Sequence, residues 1–403
     1  MSNLPFIRFL DRTTPPHIVT LVLITGMSAL SMSIFLPSLA KMTAYFDTDY
    51  AIMQIALSGY LAATALLQIF IGPISDRYGR RIMIMGALTI FVIASIGALL
   101  APTVQTFLFF RILQAAVATS LALSRAIVRD IVSQEEAASM MGYVTMGTAL
   151  VPMFGPMIGG LLDEAFDWHA IFIFLAVAGF ATLILVYLDL GETVAKGGVS
   201  FRDQVKAYPE LLSSPRFWGY ALCSAFSSGA FFALLGGASF VGSEIFGLSP
   251  MWSGIALGTP AIGYAVGNYL SGRYSVQVGI NNMAIIGTTL TIVGLGASAA
   301  LTIGGLTHPL SFFGFCIFLG LGNGIILPNV MAGSISVRPH LAGTASGLSG
   351  AIMIGGGAAL SQLAGGILTV DTGTLPLQLL MLGTCVLSLL SVLFVVWRER
   401  KIA

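Results

Sequence analysis

The stretch "GPISDRYGRR", residues 72–81, places Asp76, Arg77, Arg80 and Arg81 between two long apolar runs. Only 9% of the 403 residues are Asp, Glu, Lys or Arg, so a cluster this dense needs water or partners where it sits. Tyr50 to Ser75 holds no charged residue, and neither do Ile18 to Ala40, Ala137 to Leu162 or Tyr274 to Val337. A bilayer core about 30 Å thick is crossed by about 20 apolar residues in a helix, and 56% of this chain is apolar. A water-soluble domain would need far more charge to cover its surface. The pattern predicts an all-α membrane protein. Its runs are too long and unbroken for the alternating strands of a membrane β-barrel.

Charges, prolines and polar clusters divide the chain into twelve spans. They lie near 17–40, 51–73, 82–101, 105–127, 138–162 and 169–189, then 217–243, 252–272, 283–303, 309–331, 341–368 and 376–397. A polar connector, 191–215, separates an N-terminal half, 1–190, from a C-terminal half, 216–403. "GPMIGGLL" (155–162) is echoed by "SQLAGGIL" (361–368), and "GPISDRYGRR" has a ragged counterpart in "LSGRYSVQVG" (270–279). Duplicated six-helix halves are a standard plan for transporters, with the substrate site between them.

Lys and Arg accumulate on the cytoplasmic side of a membrane protein. On this span count, every one except Lys41 and Arg111 falls on the side that holds both termini. Both termini are thus expected to be cytoplasmic. The first apolar run lacks a small-residue cleavage site and reads as a retained helix. A net charge of +1 offers no electrostatic case for nucleic acid. Cys223, Cys316 and Cys385 lie in apolar runs and read as small hydrophobes, with no metal or disulfide framework. The four histidines, His17, His169, His308 and His340, are too scattered for an enzyme site. No G-x-x-x-x-G-K-[ST] motif is present, so no ATP hydrolysis and no cofactor are expected.

The turn at 72–81 resembles the loop 2–3 signature of the major facilitator superfamily, with Gly72, Asp76, Arg77, Gly79, Arg80 and Arg81 at its spacing. "RILQAA" (111–116) resembles the superfamily's span 4 arginine motif, and "GPMIGG" (155–160) its span 5 antiporter motif. "FLPSL", "SRAIVRDI" (124–131) and "HLAGTASGL" (340–348) add similarity to the bicyclomycin-resistance (Bcr/CflA) type of drug–proton antiporter. The resemblance implies the twelve-helix major facilitator fold and a multi-pass protein of the bacterial inner membrane. It also implies a monomer exporting small amphipathic drugs, in exchange for protons, by alternating access. The alternative is an anion exchanger, uniporter or importer of a small organic solute.

The residues support specific roles. Gly72 and Gly79 allow close helix approach and a tight reversal. Asp76 can pair with a basic neighbour, and Arg77, Arg80 or Arg81 can reach a carboxylate on another helix, with Asp130 the natural candidate. Such contacts suit a cytoplasmic latch. Arg111 lies inside span 4, where burying its charge costs about 2.5–3.5 kcal/mol on insertion scales. It is expected to face an aqueous cavity, with Gln114 one turn away to hold it. Gly155, Pro156, Gly159 and Gly160, with Pro152, predict a bent, closely packed span 5. Arg125 and Arg129 read equally as membrane anchors or as the floor of a cavity. Met32, Phe35, Phe231, Phe232, Tyr264, Asn268, Asn323 and Asn329 are candidates to line the substrate cavity. The antiporters that the chain resembles carry an Asp in span 1 where this chain has Ser33, so the expected partner of Arg111 is no carboxylate. No Asp or Glu lies near the middle of any span.

Overall fold

The computed structural model describes residues 8–131, 151, 154–193 and 208–402. These residues are helical almost throughout, and no strand occurs among them. The long helices follow the expected order: α1 (Ile18–Tyr45), α2 (Ile55–Tyr78), α3 (Arg80–Leu99), α4 (Val104–Val128), α5 (154–165) and α6 (His169–Asp189). The second set is α7 (Pro215–Ile245), α8 (Thr259–Val278), α9 (Ile280–Ile303), α10 (Leu310–Ser336), α11 (Ala342–Ile367) and α12 (Leu375–Ile402). Ten of these are long and apolar enough to cross a membrane; the others are α5 and α8. Residues 138–150, Pro152 and the connector segment 194–207 lie outside the described residues.

Local chemistry sets the helix ends. His17 caps α1, its Nδ1 accepting from the Val19 N–H at 3.3 Å. Pro37 lacks an N–H, and the chain tightens to a 3₁₀ turn over Leu36–Ser38 before α1 resumes. Pro215 occupies the first turn of α7, where the missing donor costs nothing. Gly79 (φ +100°) joins α2 to α3 and Gly279 (φ +86°) joins α8 to α9. Both use a left-handed backbone that suits glycine, at matching places in the two sets of six.

The packing repeats in the same way. α3 lies against α6 as α9 lies against α12; α2 meets α4 as α8 meets α10; α1 meets α4 as α7 meets α10. The fold is therefore two six-helix halves. α8 is the least apolar of the helices, carrying Asn268, Arg273 and Gln277, yet it is held tightly. A Cβ at Gly263 would lie 1.9 Å from the Ile317 carbonyl oxygen on α10, and one at Gly320 would lie 1.7 Å from that of Pro260 on α8. Small residues let the backbones touch, and dispersion replaces the hydrophobic drive that lipid cannot supply.

Helices α3, α6, α9 and α12 turn apolar side chains outward, with Ile93, Val177, Val293 and Leu390 all more than half exposed. Lipid covers such faces. At the end of α6, the buried Asp189 carboxylate accepts from the Leu10 N–H (2.7 Å), the His17 N–H (2.9 Å) and the Thr20 hydroxyl (2.6 Å). These bonds pin the segment before α1 and satisfy a charge that burial would otherwise penalise.

Candidate functional site

The two halves meet along α2 and α11. On α2, Gln54, Ser58, Ala65, Gln68, Gly72 and Asp76 recur at steps of three, four or seven residues, forming one stripe toward α11. At the end away from the arginine-rich turn, this seam is shut. Gln54 Nε2 donates to Ser361 Oγ at 2.9 Å, Ser58 Oγ to Gln362 Oε1 at 2.6 Å, and Gln362 Nε2 to the Ala51 carbonyl at 2.8 Å. Tyr50 adds a bond to the Gly236 carbonyl at 2.9 Å.

A second crossing seals the same end. A Cβ at Gly160 on α5 would lie 2.3 Å from the Pro250 carbonyl oxygen, and one at Gly254 would lie 2.3 Å from that of Pro156. The contact is reciprocal between α5 and the short helix Pro250–Leu257 that precedes α8. Gly159 packs equally hard within the first half, its Cβ position 1.7 Å from the Ile34 carbonyl oxygen. Ser249 Oγ also donates to Glu164 at 2.9 Å. Among the described residues no ion pair joins one half to the other.

Toward the basic end the halves part around a cavity of about 440 Å³. Gln68, Asp76, Arg80 and Arg125 line it from the first half, and Thr344, Ser346 and Met353 from the second. Ile71, Leu121, Met331 and Ile354 supply apolar wall. That size and mixture suit a small amphipathic guest.

The arginine-rich turn borders this cavity. Arg80 is nearly buried and pairs with Asp76 at 2.6 Å and, through Nε, with Asp130 at 3.2 Å; its guanidinium also bonds Ser75 Oγ. Its backbone N–H donates to Glu192 at 2.8 Å. Arg81 donates to the Tyr187 carbonyl at 2.9 Å, and the Arg77 guanidinium lies 5.5 Å from the Tyr78 ring. Arg80 thus makes the bridge to Asp130. Arg77 and Arg81 do not. Apart from the bond to Glu192 at the start of the connector, these contacts stay within the first half, so in this conformation the turn is a brace across the ends of α2, α4 and α6.

Arg111 is fully buried. Helix α4 tightens into a 3₁₀ segment, Gln114–Ala118, immediately after it, which stacks Gln114 on Arg111. Nη1 donates to Gln114 Oε1 at 2.6 Å and to Ser31 Oγ at 3.1 Å; Nη2 donates to the Ser31 carbonyl at 2.6 Å. The rings of Phe35 and Tyr60 lie 4.3 Å and 4.5 Å from the guanidinium carbon, a cation–π cage. Gln114 is held in turn by a bond to Ser95 Oγ at 2.7 Å. No carboxylate reaches this charge among the described residues.

Several expectations need correction. Arg111 faces the interior of the first half and not an aqueous cavity, because four helices close around it. Ser33 is not its partner: Ser33 Oγ bonds the Ala29 carbonyl at 3.1 Å and points toward Gly155, while Ser31 holds the arginine. None of the eight proposed cavity residues lines the cavity at the basic end. Asn323 accepts from Ser227, Asn329 donates to Ser271 (2.9 Å), and Asn268 donates to its own helix at Tyr264 (2.8 Å), so all three amides are satisfied within the second half. Phe35 is committed to Arg111, and Phe232 packs where Gly357 leaves room. Met32, Phe231 and Tyr264 are partly buried elsewhere. Sequence reasoning missed Ser31, Tyr60 and Ser95 around Arg111, and Gln54, Gln68 and Gln362 along the seam. The recurring polar positions on α2 were the available signal for the seam.

Two like halves embedded in lipid, shut at one end and parted at the other around a guest-sized cavity, define a secondary membrane carrier. The chain belongs to the Major Facilitator Superfamily, whose family profile matches residues 21–362. It is 30% identical to the MFS-type transporter YdgK of Bacillus subtilis, over 95% of this chain and 96% of that one. It is 28% identical to the bicyclomycin resistance protein homolog of Haemophilus influenzae, over 97% of this chain and 98% of that one. Among solved structures it shares the fold of a bacterial homolog of the human lysosomal transporter Spinster, in an inward-facing and occupied conformation. That likeness has a TM-score of 0.71 and 17% identity, over 95% of this chain and 96% of that one. The chain is thus an MFS transporter whose relatives include proteins named for multidrug and antibiotic resistance.

Proposed function

We propose that the protein is a monomeric bacterial inner-membrane exporter that moves small amphipathic drugs outward in exchange for protons. Both termini and the basic end are cytoplasmic in this reading, on the strength of where Lys and Arg lie. The conformation is then inward-facing. Residues 1–190 and 216–403 are the two rocking bodies, joined by the connector 191–215.

One observation carries the reading: the cavity opens at the basic end and is closed opposite by neutral hydrogen bonds and glycine crossings. Such contacts part without separating charges in a low-dielectric medium, so closed and open states can lie close in energy. The Asp76–Arg80–Asp130 brace, formed here with the cytoplasmic end open, serves as the latch surface that the second half meets when that end shuts. Arg111, a permanent charge without a counter-charge, is the group placed to respond to movement of α1. Resistance to bicyclomycin in the name of a relative agrees with a drug as cargo.

Expression in an efflux-deficient host, challenged with a drug panel at two external pH values, tests this. Resistance that rises as the external medium is acidified is the expected result, and unchanged susceptibility to every drug refutes export. The second reading, an anion exchanger, uniporter or importer of an organic solute, is favoured by the unpaired Arg125 in the cavity. Proteoliposome flux under an imposed pH gradient separates the two, since only the first requires proton counter-movement.

A further inference from the structure

We infer that the cavity selects guests bearing an anionic group, a carboxylate or phenolate on a compact apolar body, and that Arg125 is the residue that binds it. The inference rests on the reading of this cavity as the substrate site, and it names the substrate class.

The argument is one of charge accounting. The charged residues lining the cavity are Asp76, Arg80 and Arg125. Asp76 is neutralised by Arg80, which Asp130 also engages. Arg125 is different. It is solvent-exposed within the cavity wall and has no ion pair or hydrogen bond among the described residues. The remaining polar lining, Gln68, Thr344 and Ser346, is uncharged. Among the charged residues of the described wall, Arg125 is therefore the one without a direct partner, while Arg80 is shared between Asp76 and Asp130.

A guanidinium in a confined space draws a carboxylate more strongly than in bulk water, and its planar fork donates to the two oxygens together. Apolar wall from Ile71, Met331 and Ile354 leaves room for a ring or short chain beside it. A cationic guest meets the opposite situation: it would sit beside Arg125 with no free carboxylate to stabilise it. The anchoring role that Arg125 shares with other basic residues at this end does not require it to line a cavity between the halves. Because Arg125 belongs to the first half and Thr344 and Ser346 to the second, a bound anion would touch both bodies and could register their relative movement.

The test uses the full chain in lipid nanodiscs with a matched pair of probes, 1-naphthoate and its neutral amide, 1-naphthamide, measured by equilibrium dialysis. The expected result is that naphthoate binds at least about tenfold more tightly than naphthamide, the scale of one charge-assisted hydrogen bond. Arg125→Gln should bring the two probes to equal affinity, and Arg125→Lys should retain part of the preference. Equal binding by the unmodified protein, or a preference that survives Arg125→Gln, overturns the proposal. Should Arg125→Gln fail to fold, Thr344→Asp places a carboxylate in the same cavity with Arg125 intact. Loss of the preference supports the assignment and its persistence overturns it. Acid-selective binding in a protein that exports no drug would refute the export reading alone. Drug export without acid selectivity would refute this inference alone.

Discussion

Replacing Gly254 with alanine should shift the carrier away from the conformation described above. The added Cβ would lie 2.3 Å from the Pro156 carbonyl oxygen, 2.8 Å from its carbon and 3.1 Å from Met157 Cα. All three neighbours are backbone, so no side chain can swing aside. Carbon–oxygen contact needs roughly another ångström, which must come from separating α5 from the helix Pro250–Leu257. Overpacking of this kind costs about 1–3 kcal/mol. That cost falls on the state in which the two helices cross and vanishes where they part, so the equilibrium moves about 5- to 150-fold toward the state open at that end. Spin labels on cysteines introduced at Thr48 and Thr372, in loops of opposite halves, report the opening by double electron–electron resonance. The native Cys223, Cys316 and Cys385 are buried and would stay unlabelled. A longer mean label distance in Gly254→Ala, repeated in Gly160→Ala because its clash with Pro250 is the mirror image, is the expected outcome. Unchanged distances with unchanged export would refute the claim that this crossing is the seal.

Four further outcomes can be measured. Arg111→Met should abolish export while leaving thermal stability equal or higher, because it removes a buried charge that no carboxylate compensates; a stability loss above about 3 kcal/mol would mark Arg111 as structural. Ser31→Asp should give Arg111 a counter-charge, since Ser31 Oγ already lies 3.1 Å from Nη1, and should change the pH profile of export. Ser33→Asp should leave that profile alone, as Ser33 faces Gly155, and the reverse pattern would mean that the orientation of α1 differs during transport. Asp76→Asn should sharply lower export in a protein that still inserts and elutes as a single species, and full activity would reduce the turn to an anchor.

Much of the architecture was legible without coordinates. Charge-free runs in a chain this poor in charge permit a bilayer-spanning helix and little else, because an unpaired backbone group in hydrocarbon costs several kcal/mol. The limits of such reasoning show at α8, which is polar by composition yet held in place by glycine contacts with α10. The bridge from Arg80 to Asp130 was equally readable, since a dense basic turn needs a carboxylate within reach.

The cavity was not readable. Aromatics and amides inside spans are natural suspects, but Asn323 and Asn329 are consumed by Ser227 and Ser271, and no periodicity reveals which partner a buried amide finds. Arg125 shows the same limit: a basic residue near a helix end reads identically as anchor or ligand until the second half is placed opposite it.

Sequence alone determined that this chain is a twelve-span helical membrane protein with a buried arginine needing partners, because apolar length and charge spacing are local properties that a bilayer tests directly. Only the tertiary structure decided who those partners are. Ser31 and Ser33 stand two residues apart on α1, about 200° around a helix of 3.6 residues per turn, so they face nearly opposite ways. Which of them meets Arg111 depends on how α1 is rotated against α4, and that rotation is set by packing among helices distant in sequence.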